Sequence, residues 1–276
     1  MPELPEVETI RRRLEPDLVG QRVVAVRVNR PEIVGYPSVR TLVRQVTGRR
    51  ITGLARRGKY LIVRLDDHQE LIFHLRLSGA LYLVNNSKTP PYERIQFRLA
   101  SGNRLSLAEP RMLGRVYLVG GHEYPAVLAG MTKMGREPIE PGFTASYLAA
   151  RLHGRKTKVK TLLLDQRICC GVGNIYSDEA LFRAGVRPTR RAGSLTRAEI
   201  GRLARALRQV LKEGISWCGT TIADRRYVLP DGTSGGFQKY LRVFRRGGER
   251  CGRCGATIQR VRIGNRSSCY CPVCQK

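Results

Sequence analysis

Acidic residues are scarce in this 276-residue chain, which has 22 aspartates and glutamates against 50 lysines and arginines. The resulting net charge of +28 disfavours an ordinary enzyme of small metabolites and favours a polyanionic partner. Hydrophobic residues make up 42% of the chain, which is typical of a folded protein and excludes a disordered basic tail. The length corresponds to about two domains.

Long apolar runs and an export signal are also missing. No stretch approaches the roughly 18 to 20 apolar residues that a membrane span needs. The first charged residues are Glu3, Glu6 and Glu8, which have the wrong sign for a signal peptide. We therefore expect a cytoplasmic, nucleoid-associated protein with no membrane partner. Eight cysteines in that compartment indicate a metal site or free thiols rather than disulfides.

The hydrophobic pattern changes twice along the chain. Apolar residues recur at helical spacing from Val7 to Leu18, and residues 21–119 then alternate as short strands separated by turns. Helical spacing dominates after residue 135, and the tail is rich in glycine, arginine and cysteine. We predict an α+β multidomain protein with three parts: an N-terminal antiparallel β-sandwich flanked by helices (1–135), a helical domain (136–236) and a cysteine-rich hairpin (237–276).

Cysteine spacing in the tail is the most specific local pattern. Cys251 with Cys254 and Cys271 with Cys274 form two Cys-x2-Cys pairs, and the span between them fits a β-hairpin. Two such pairs supply four thiolates for one tetrahedral Zn²⁺, although four buried thiols or two disulfides are the alternative. Cys269, a fifth cysteine nearby, is expected to be a small apolar residue of the hairpin rather than a ligand.

Arginines inside that hairpin favour contact with phosphate. Arg260, Arg262 and Arg266 lie between the two cysteine pairs, where the sequence has no acidic residue. A solvated basic face is the simpler interpretation. The charge of the whole chain favours a phosphate clamp, because a fixed guanidinium can contact phosphate through two hydrogen bonds.

A glycine-rich turn lies between two helical segments. In Gly171-Val172-Gly173-Asn174 the glycines permit a tight double turn, and a helix that begins at Asn174 directs free N–H groups at an anion. Lys156, Lys158 and Lys160 precede this turn. The pattern is often only a turn, but with its flanking helices and lysines it favours a grip on DNA phosphates.

The first six residues allow two interpretations. Acidic residues at positions 3 and 6 are ordinary features of a helix start, where the helix dipole favours them. If Met1 is removed, Pro2 instead presents a secondary amine that can form an iminium with a sugar aldehyde carbon, with Glu3 beside it as a general acid. Composition alone favours the first interpretation.

Five segments in a fixed order carry a wider resemblance. They are Pro2-Glu3-Leu4-Pro5-Glu6-Val7-Glu8-Thr9, Arg57-Gly58-Lys59-Tyr60-Leu61, His74-Leu75-x-x-Ser78-Gly79, the Gly171–Tyr176 turn and the four-cysteine tail. Together they resemble the bacterial formamidopyrimidine-DNA glycosylases, the repair enzymes for 8-oxoguanine. The resemblance extends over essentially the whole chain.

This resemblance implies a bifunctional glycosylase and abasic-site lyase of base-excision repair. Pro2 would attack C1′ of the damaged nucleotide and displace the base, while Glu3 donates the proton that opens the sugar. Lys59 matches the lysine assigned to proton transfer during β- and δ-elimination, which leaves a gap with 3′ and 5′ phosphates. Arg266, the arginine of the finger, completes this expected catalytic set.

The same resemblance implies the partners. The expected partner is double-stranded DNA containing an oxidised purine, bound by a monomer with one structural Zn²⁺ on four cysteines. Lys156 and Asn174 match phosphate-binding positions of a helix-two-turn-helix domain. The family flips the damaged nucleotide out of the stack and fills the gap with inserted side chains.

The sequence departs from the family pattern where DNA would be probed. Arg111 matches the arginine that enters the gap, but Leu113 replaces the usual phenylalanine wedge and Leu77 a usual methionine. Tyr92 lies near a common DNA-contacting histidine. The segment 220–237, which matches the loop that caps the flipped base, is slightly longer than usual and contains Arg225 and Arg226 as extra residues. These positions are therefore expected DNA contacts with altered chemistry.

Two other functions fit part of the sequence. An endonuclease VIII-like relative shares the fold and chemistry but acts on oxidised pyrimidines, and Leu4-Pro5 at the start of this chain argues against it. A non-catalytic zinc-ribbon nucleic-acid-binding protein would explain the charge and the cysteines. It would give no reason for Pro2, Glu3 and Lys59 to match one catalytic pattern.

Overall fold

The computed structural model describes residues 2–85, 89–120, 124–222 and 227–276. Tertiary contacts group the chain into two compact units. The first unit contains residues 1–133 and 217–238, and the second contains residues 134–216 and 239–276. The domain boundaries that the sequence analysis places after residues 135 and 236 stay predictions. Over the described ranges, no helix has both the length and the hydropathy that a membrane crossing requires.

The first unit is built from two sheets and three helices among its described residues. Its strands are β1 (Val23–Val28), β2 (Val34–Tyr36), β3 (Ile51–Arg57), β4 (Tyr60–Leu65), β5 (Gln69–His74), β6 (Ala80–Val84), β7 (Glu93–Leu99), β8 (Arg104–Ala108) and β9 (Arg115–Gly120). Its helices are α1 (Leu4–Leu18), α2 (Val39–Val46) and the single turn α3 (Ala129–Thr132).

The strand pairing confirms the predicted sandwich. One sheet has the order β1-β7-β8-β6 and the other the order β2-β9-β5-β4-β3. All pairs are antiparallel except β2 with β9, which run parallel. Alternation places Leu71 and Phe73 of β5 inward, and the Phe73 ring meets that of Phe97 edge-on at 5.8 Å between centroids. This contact belongs to a single apolar core shared by both sheets.

Helix α1 closes one side of that core, as its spacing predicts. Val7, Ile10, Leu14 and Leu18 recur on one face and are completely buried. The helix contacts β3 and β4. Because Glu8 of α1 accepts a hydrogen bond from Arg56 near the end of β3, α1 is attached to the strand that leads into the β3–β4 turn.

The second unit is helical with a short hairpin. Its elements are α4 (Ala145–Leu152), α5 (Val159–Leu163), α6 (Asn174–Ala184), α7 (Arg197–Ser216), β10 (Gln259–Ile263) and β11 (Arg266–Tyr270). Before α7, the N–H of Thr196 donates to Glu199 at 2.8 Å and the N–H of Glu199 donates to the Thr196 hydroxyl at 3.2 Å. The predicted capping box is therefore present.

The hairpin packs around a small apolar cluster that it shares with α6. Strands β10 and β11 pair antiparallel, and the buried residues around them are few. This cluster consists of Phe182, Val243, Cys251, Ile258, Cys269 and Cys271. Six side chains are a small apolar core, so the hairpin depends on another source of stability.

Candidate active site and DNA interface

The start of the chain is buried and held by one carboxylate. Pro2 is buried and Glu3 is 1% exposed at the N-cap of α1. Glu6 accepts the N–H of Glu3 at 2.8 Å and, through its other oxygen, the N–H of Thr220 at 2.8 Å. Gly219, at φ +77°, leaves room for this carboxylate, since a Cβ there would lie 2.9 Å from the Glu6 side chain. Sequence reasoning treated Glu6 only as a helix-start residue.

Lys59 lies in the tight turn between β3 and β4. Arg57 pairs with Tyr60 across this turn, and Gly58 adopts φ +55°, which glycine tolerates without strain. Lys59 is 8% exposed. Arg56, which precedes Arg57 in β3, donates a hydrogen bond to Glu8 of α1 at 3.1 Å. This ion pair joins the helix that begins just after Pro2 and Glu3 to the strand that leads into Lys59.

Glu8 is strongly held in its charged form. Burial favours the neutral acid, but hydrogen bonds from Arg11 and Arg12 and the charge of Arg56 outweigh it and lower the pKa of Glu8 to about 2. Arg56 also donates to the carbonyl of Gly58 at 3.0 Å. The Arg56 side chain therefore holds both α1, through Glu8, and the β3–β4 turn, through Gly58.

His74, at the end of β5, is neutral in the folded chain. Its ring meets that of Tyr60 edge-on at 4.3 Å, and its Nδ1 accepts the N–H of Arg76 at 3.2 Å, so the proton of the neutral ring is on Nε2. Burial, with the charges of Arg76 and Lys59, lowers the pKa of His74 to about 3. The sequence offered His74 only as part of a family motif.

Glu109 joins the two turns that carry the predicted gap-filling residues. It is fully buried, accepts the hydroxyl of Ser78, and accepts the N–H groups of Arg111 at 3.0 Å and Gly114 at 2.9 Å. Ser78 follows half-buried Leu77, and the 109–114 loop presents Leu113 with 38% of its surface exposed. The carboxylate thus brings Leu77 to the loop of Arg111 and Leu113.

Tyr92 is exposed and lies outside a strand. It adopts φ +60°, and the guanidinium of Arg94 lies 5.6 Å from its ring centroid. Its carbonyl accepts the N–H of Glu109 at 3.0 Å, which ties it to the same loop. Of the capping segment 220–237, the predicted extra residues Arg225 and Arg226 lie outside the described residues.

In the second unit, Asn174 and the residue after Arg266 are in direct contact. Asn174 begins α6 after the Gly171–Gly173 turn, and its Nδ2 donates to the carbonyl of Ser267 at 3.1 Å. Arg266 begins β11 and is exposed. Lys156 is also exposed. This unit therefore brings the double turn and the finger arginine together.

Lys160 differs from its expected position among the surface lysines. It is completely buried, and its Nζ lies 2.5 Å from Asp178 of α6 and donates to the carbonyl of Ser267 at 3.3 Å. Asp178 also accepts the hydroxyl of Ser268 at 2.5 Å. A cation committed to this buried pair cannot reach phosphate at the surface, so only Lys156 and Lys158 keep the predicted role.

The four tail cysteines form a site for one structural zinc ion. The sulfur atoms of Cys251, Cys254, Cys271 and Cys274 all lie within 4.8 Å of one another. A tetrahedral Zn²⁺ with bonds of about 2.3 Å requires sulfur separations of about 3.8 Å, and the Cys254–Cys271 and Cys251–Cys274 pairs measure 3.4 and 4.0 Å. Cys269 lies outside this cluster, in the small apolar core.

Three family models match the chain in order. They are the formamidopyrimidine-DNA glycosylase N-terminal domain over residues 1–116, the H2TH domain of the same enzymes over residues 134–226, and the zinc finger found in FPG and IleRS over residues 248–276. We refer to residues 248–276 as the zinc finger. These matches confirm the resemblance read from the five segments.

Full-length relatives agree. A formamidopyrimidine-DNA glycosylase of Pelotomaculum thermopropionicum is 41% identical over 100% of this chain and 99% of its own. A Lactococcus lactis Fpg variant bound to Fapy-dG-containing DNA superposes with a TM-score of 0.92 at 33% identity, over 100% of both chains. The Lactococcus lactis Fpg bound to abasic-site DNA gives 0.91 at 33% identity, over 99% of both chains. The chain thus belongs to the formamidopyrimidine-DNA glycosylase family, the glycosylases of base-excision repair.

Proposed function

We propose that this enzyme excises oxidised purines from double-stranded DNA and then cleaves the abasic site, with Pro2 as the nucleophile. The observation that supports this most strongly is the fixed start of the chain. The Glu6 carboxylate holds the backbone of Glu3 at 2.8 Å, so Pro2 cannot trail as a flexible terminus. A fixed amine beside a buried carboxyl is the arrangement that covalent attack on a sugar carbon requires.

The reaction follows from these two residues. After removal of Met1, the secondary amine of Pro2 attacks C1′, the bond from C1′ to the base breaks, and the base departs with the bonding electrons and the proton that the amine releases. Glu3 protonates O4′, the C1′–O4′ bond breaks, and an iminium forms between Pro2 and C1′. The positive iminium acidifies the C2′–H bond, so loss of that proton expels the 3′ phosphate, and a second elimination expels the 5′ phosphate. We assign the proton transfers of elimination to Lys59.

The remaining predicted residues grip and deform the DNA. We assign backbone phosphates to Lys156, Asn174 and Arg266, whose side chains or loops lie at the surface of the second unit. We assign Arg111, Leu77 and Leu113 to the gap that the flipped nucleotide leaves. We assign Tyr92 to a DNA contact at the edge of that gap.

The first test is covalent trapping. We expect borohydride to link the enzyme to an 8-oxoguanine duplex through Pro2, identified by mass spectrometry of the adduct. Glu3→Gln should abolish base excision while leaving the affinity for undamaged duplex unchanged. Glu15→Gln is the matched control, because Glu15 is on the same helix but half-exposed and paired with Arg11. Normal excision by an enzyme that retains an uncleaved N-terminal tag would contradict the mechanism.

The second test concerns the substrate class. We expect single-turnover excision to be faster for 8-oxoguanine and formamidopyrimidine duplexes than for duplexes containing an oxidised pyrimidine. The opposite ranking would assign the enzyme to the endonuclease VIII-like substrate class, the oxidised pyrimidines. Sedimentation of the free and the DNA-bound enzyme measures its oligomeric state, which we expect to be a monomer in both cases.

A further inference from the structure

A basic cavity of about 460 Å³ lies beside the zinc finger. Its lining includes three arginines, Arg245, Arg260 and Arg266. One carboxylate, that of Asp178, is also present, but Asp178 is 1% exposed and already paired with Lys160. Among the residues that the structure describes, the lining of this cavity therefore carries more positive than negative charge.

Arg245 occupies an unusual backbone position at this wall. It lies in the turn closed by the Arg246 N–H, which donates to the Val243 carbonyl at 3.0 Å, and its φ is +62°. Glycine and asparagine are the residues that such a turn position favours. An arginine held in the left-handed region is strained, and strain of this kind persists where a side chain is needed for function.

The turn that carries Arg245 is rigidly held from α6. Glu179 is fully buried and accepts the N–H groups of Arg242, Val243 and Phe244 at 2.9 to 3.0 Å. Burial raises the pKa of Glu179, and these hydrogen bonds work in the opposite direction. The same helix carries Asn174 and Asp178. It therefore supports the turn of Arg245 and also contributes two residues to the cavity lining.

Arg260 faces the cavity from the hairpin. Its Nη2 donates to the hydroxyl of Ser267 at 2.9 Å, and Ser267 is the neighbour of Arg266. Gly247 lines the cavity next to Arg260, since a Cβ there would lie 3.1 Å from the Cβ of Arg260. The absence of a side chain at Gly247 keeps this part of the cavity open. Arg262, by contrast, donates to the Gly264 carbonyl and does not line the cavity.

We propose that this cavity is a second phosphate subsite, in which Arg245 and Arg260 together bind one DNA backbone phosphate beside the phosphate assigned to Arg266. Two guanidinium groups on rigid supports can donate several hydrogen bonds to one phosphate. The proposal rests on the proposed function only in taking duplex DNA as the ligand. It extends phosphate binding at this cavity from one arginine, Arg266, to three.

The test measures binding of zinc-loaded enzyme to undamaged duplex as a function of salt. Arg245→Gly and Arg260→Gln should each weaken binding roughly threefold to tenfold near physiological salt and reduce the salt slope by about one. Arg250→Gln is the matched control, since Arg250 is an exposed finger arginine outside the cavity lining. An unchanged slope in both cavity variants, or an equal loss in the control, overturns the subsite.

Arg245→Gly also separates a binding role from a structural one. Glycine relieves the strained φ, so the thermal midpoint should stay the same or rise while DNA affinity falls. A fall in both quantities would instead make Arg245 a structural residue. Inorganic phosphate alone provides the last arm: a saturable rise in melting temperature that Arg245→Gly removes, together with an unchanged salt slope for duplex binding, would assign the cavity to free phosphate and overturn the DNA assignment.

These outcomes are independent of the chemistry at Pro2. An enzyme that fails to form the borohydride adduct but shows the expected salt slopes would refute the proposed mechanism and retain the subsite. An enzyme that traps normally but shows no change in slope would do the reverse.

Discussion

The β-sandwich and the zinc finger are stabilised by opposite means. The sandwich buries an extensive apolar core that includes Phe73 and Phe97 and joins both of its sheets. The finger contributes four residues to a cluster of six buried residues, and two of those four are zinc ligands. Hydrophobic burial scales with the area removed from water, so the first region can fold on its own core and the second cannot. Stability and metal dependence therefore divide along the chain.

Removal of zinc should have the largest effect and fall entirely on the finger. Structural zinc contributes about 10–16 kcal/mol of binding free energy, which for such a site is folding free energy. We expect chelation, or Cys274→Ser, to unfold the finger and remove most DNA affinity, while the thermal transition of the sandwich persists. Zinc content and circular dichroism measure this.

Cys218→Ser is the control for that prediction. Cys218 is a partly exposed free cysteine of the first unit and should tolerate the change with zinc and DNA affinity intact. A fully active preparation without zinc would contradict the comparison between the two regions.

The 109–114 loop should show the next largest effect, because we assign its side chains to the gap left by the flipped nucleotide. Arg111→Ala should lower excision from an 8-oxoguanine duplex more than cleavage of a preformed abasic site, which needs less extrusion. Leu113→Phe should tighten binding to lesion duplex, since stacking of an aromatic ring on a base contributes about 1–3 kcal/mol. Single-turnover kinetics on both substrates measure the difference. Equal losses for Arg111→Ala would assign the 109–114 loop another role.

The pH dependence of stability should distinguish the first unit in a smaller way. The pKa of His74 falls from 6.5 to about 3 on folding, so the unfolded chain binds the extra proton between those values. The stabilisation is complete above pH 6.5 and is lost as the pH falls toward 3, by about 1 kcal/mol between pH 6.5 and 5.5. Unfolding of wild type and His74→Gln across this range measures it.

The difference between those two profiles isolates His74 from protonation of the cysteine ligands, which is common to both proteins. Parallel profiles would show that folding leaves the pKa of His74 unshifted and would contradict a buried, neutral imidazole packed against Tyr60.

The smallest effect is expected for Lys156, an exposed cation of the second unit. Lys156→Ala should weaken binding to damaged and undamaged duplex alike and reduce the salt slope by about one. A loss of affinity only for damaged DNA would assign Lys156 to the lesion pocket. Lys156 would then act on damaged DNA, as we expect of Arg111, rather than on any duplex.

The sequence allows prediction of features that depend on neighbours along the chain. Cysteine spacing predicted the four-sulfur cluster, and apolar periodicity predicted α1 and the sandwich strands. Both signals are local, because a hairpin or a helix face repeats over a few residues. The resemblance then supplied the family, which the comparisons confirm.

The carboxylates that organise the sites could not be found in this way. Glu6 reaches Thr220, Glu109 reaches Ser78, and Asp178 reaches Ser268 across 90 positions of sequence. A buried acid whose partners are distant backbone or hydroxyl groups has no periodic or spacing signature. Lys160 was wrongly grouped with the surface lysines Lys156 and Lys158, because nothing in the local sequence shows that Asp178 is its buried partner.

The bond between Glu6 and Thr220 also orders events during synthesis of the protein. The two residues are 214 positions apart, so the proposed nucleophile leaves the ribosome long before the backbone group that helps to fix it. Domains fold as their residues become available, and the first unit is complete only when residue 238 has been made. A nascent chain therefore carries the amine without its support. We therefore expect base excision through the proposed nucleophile only from chains synthesised beyond residue 238.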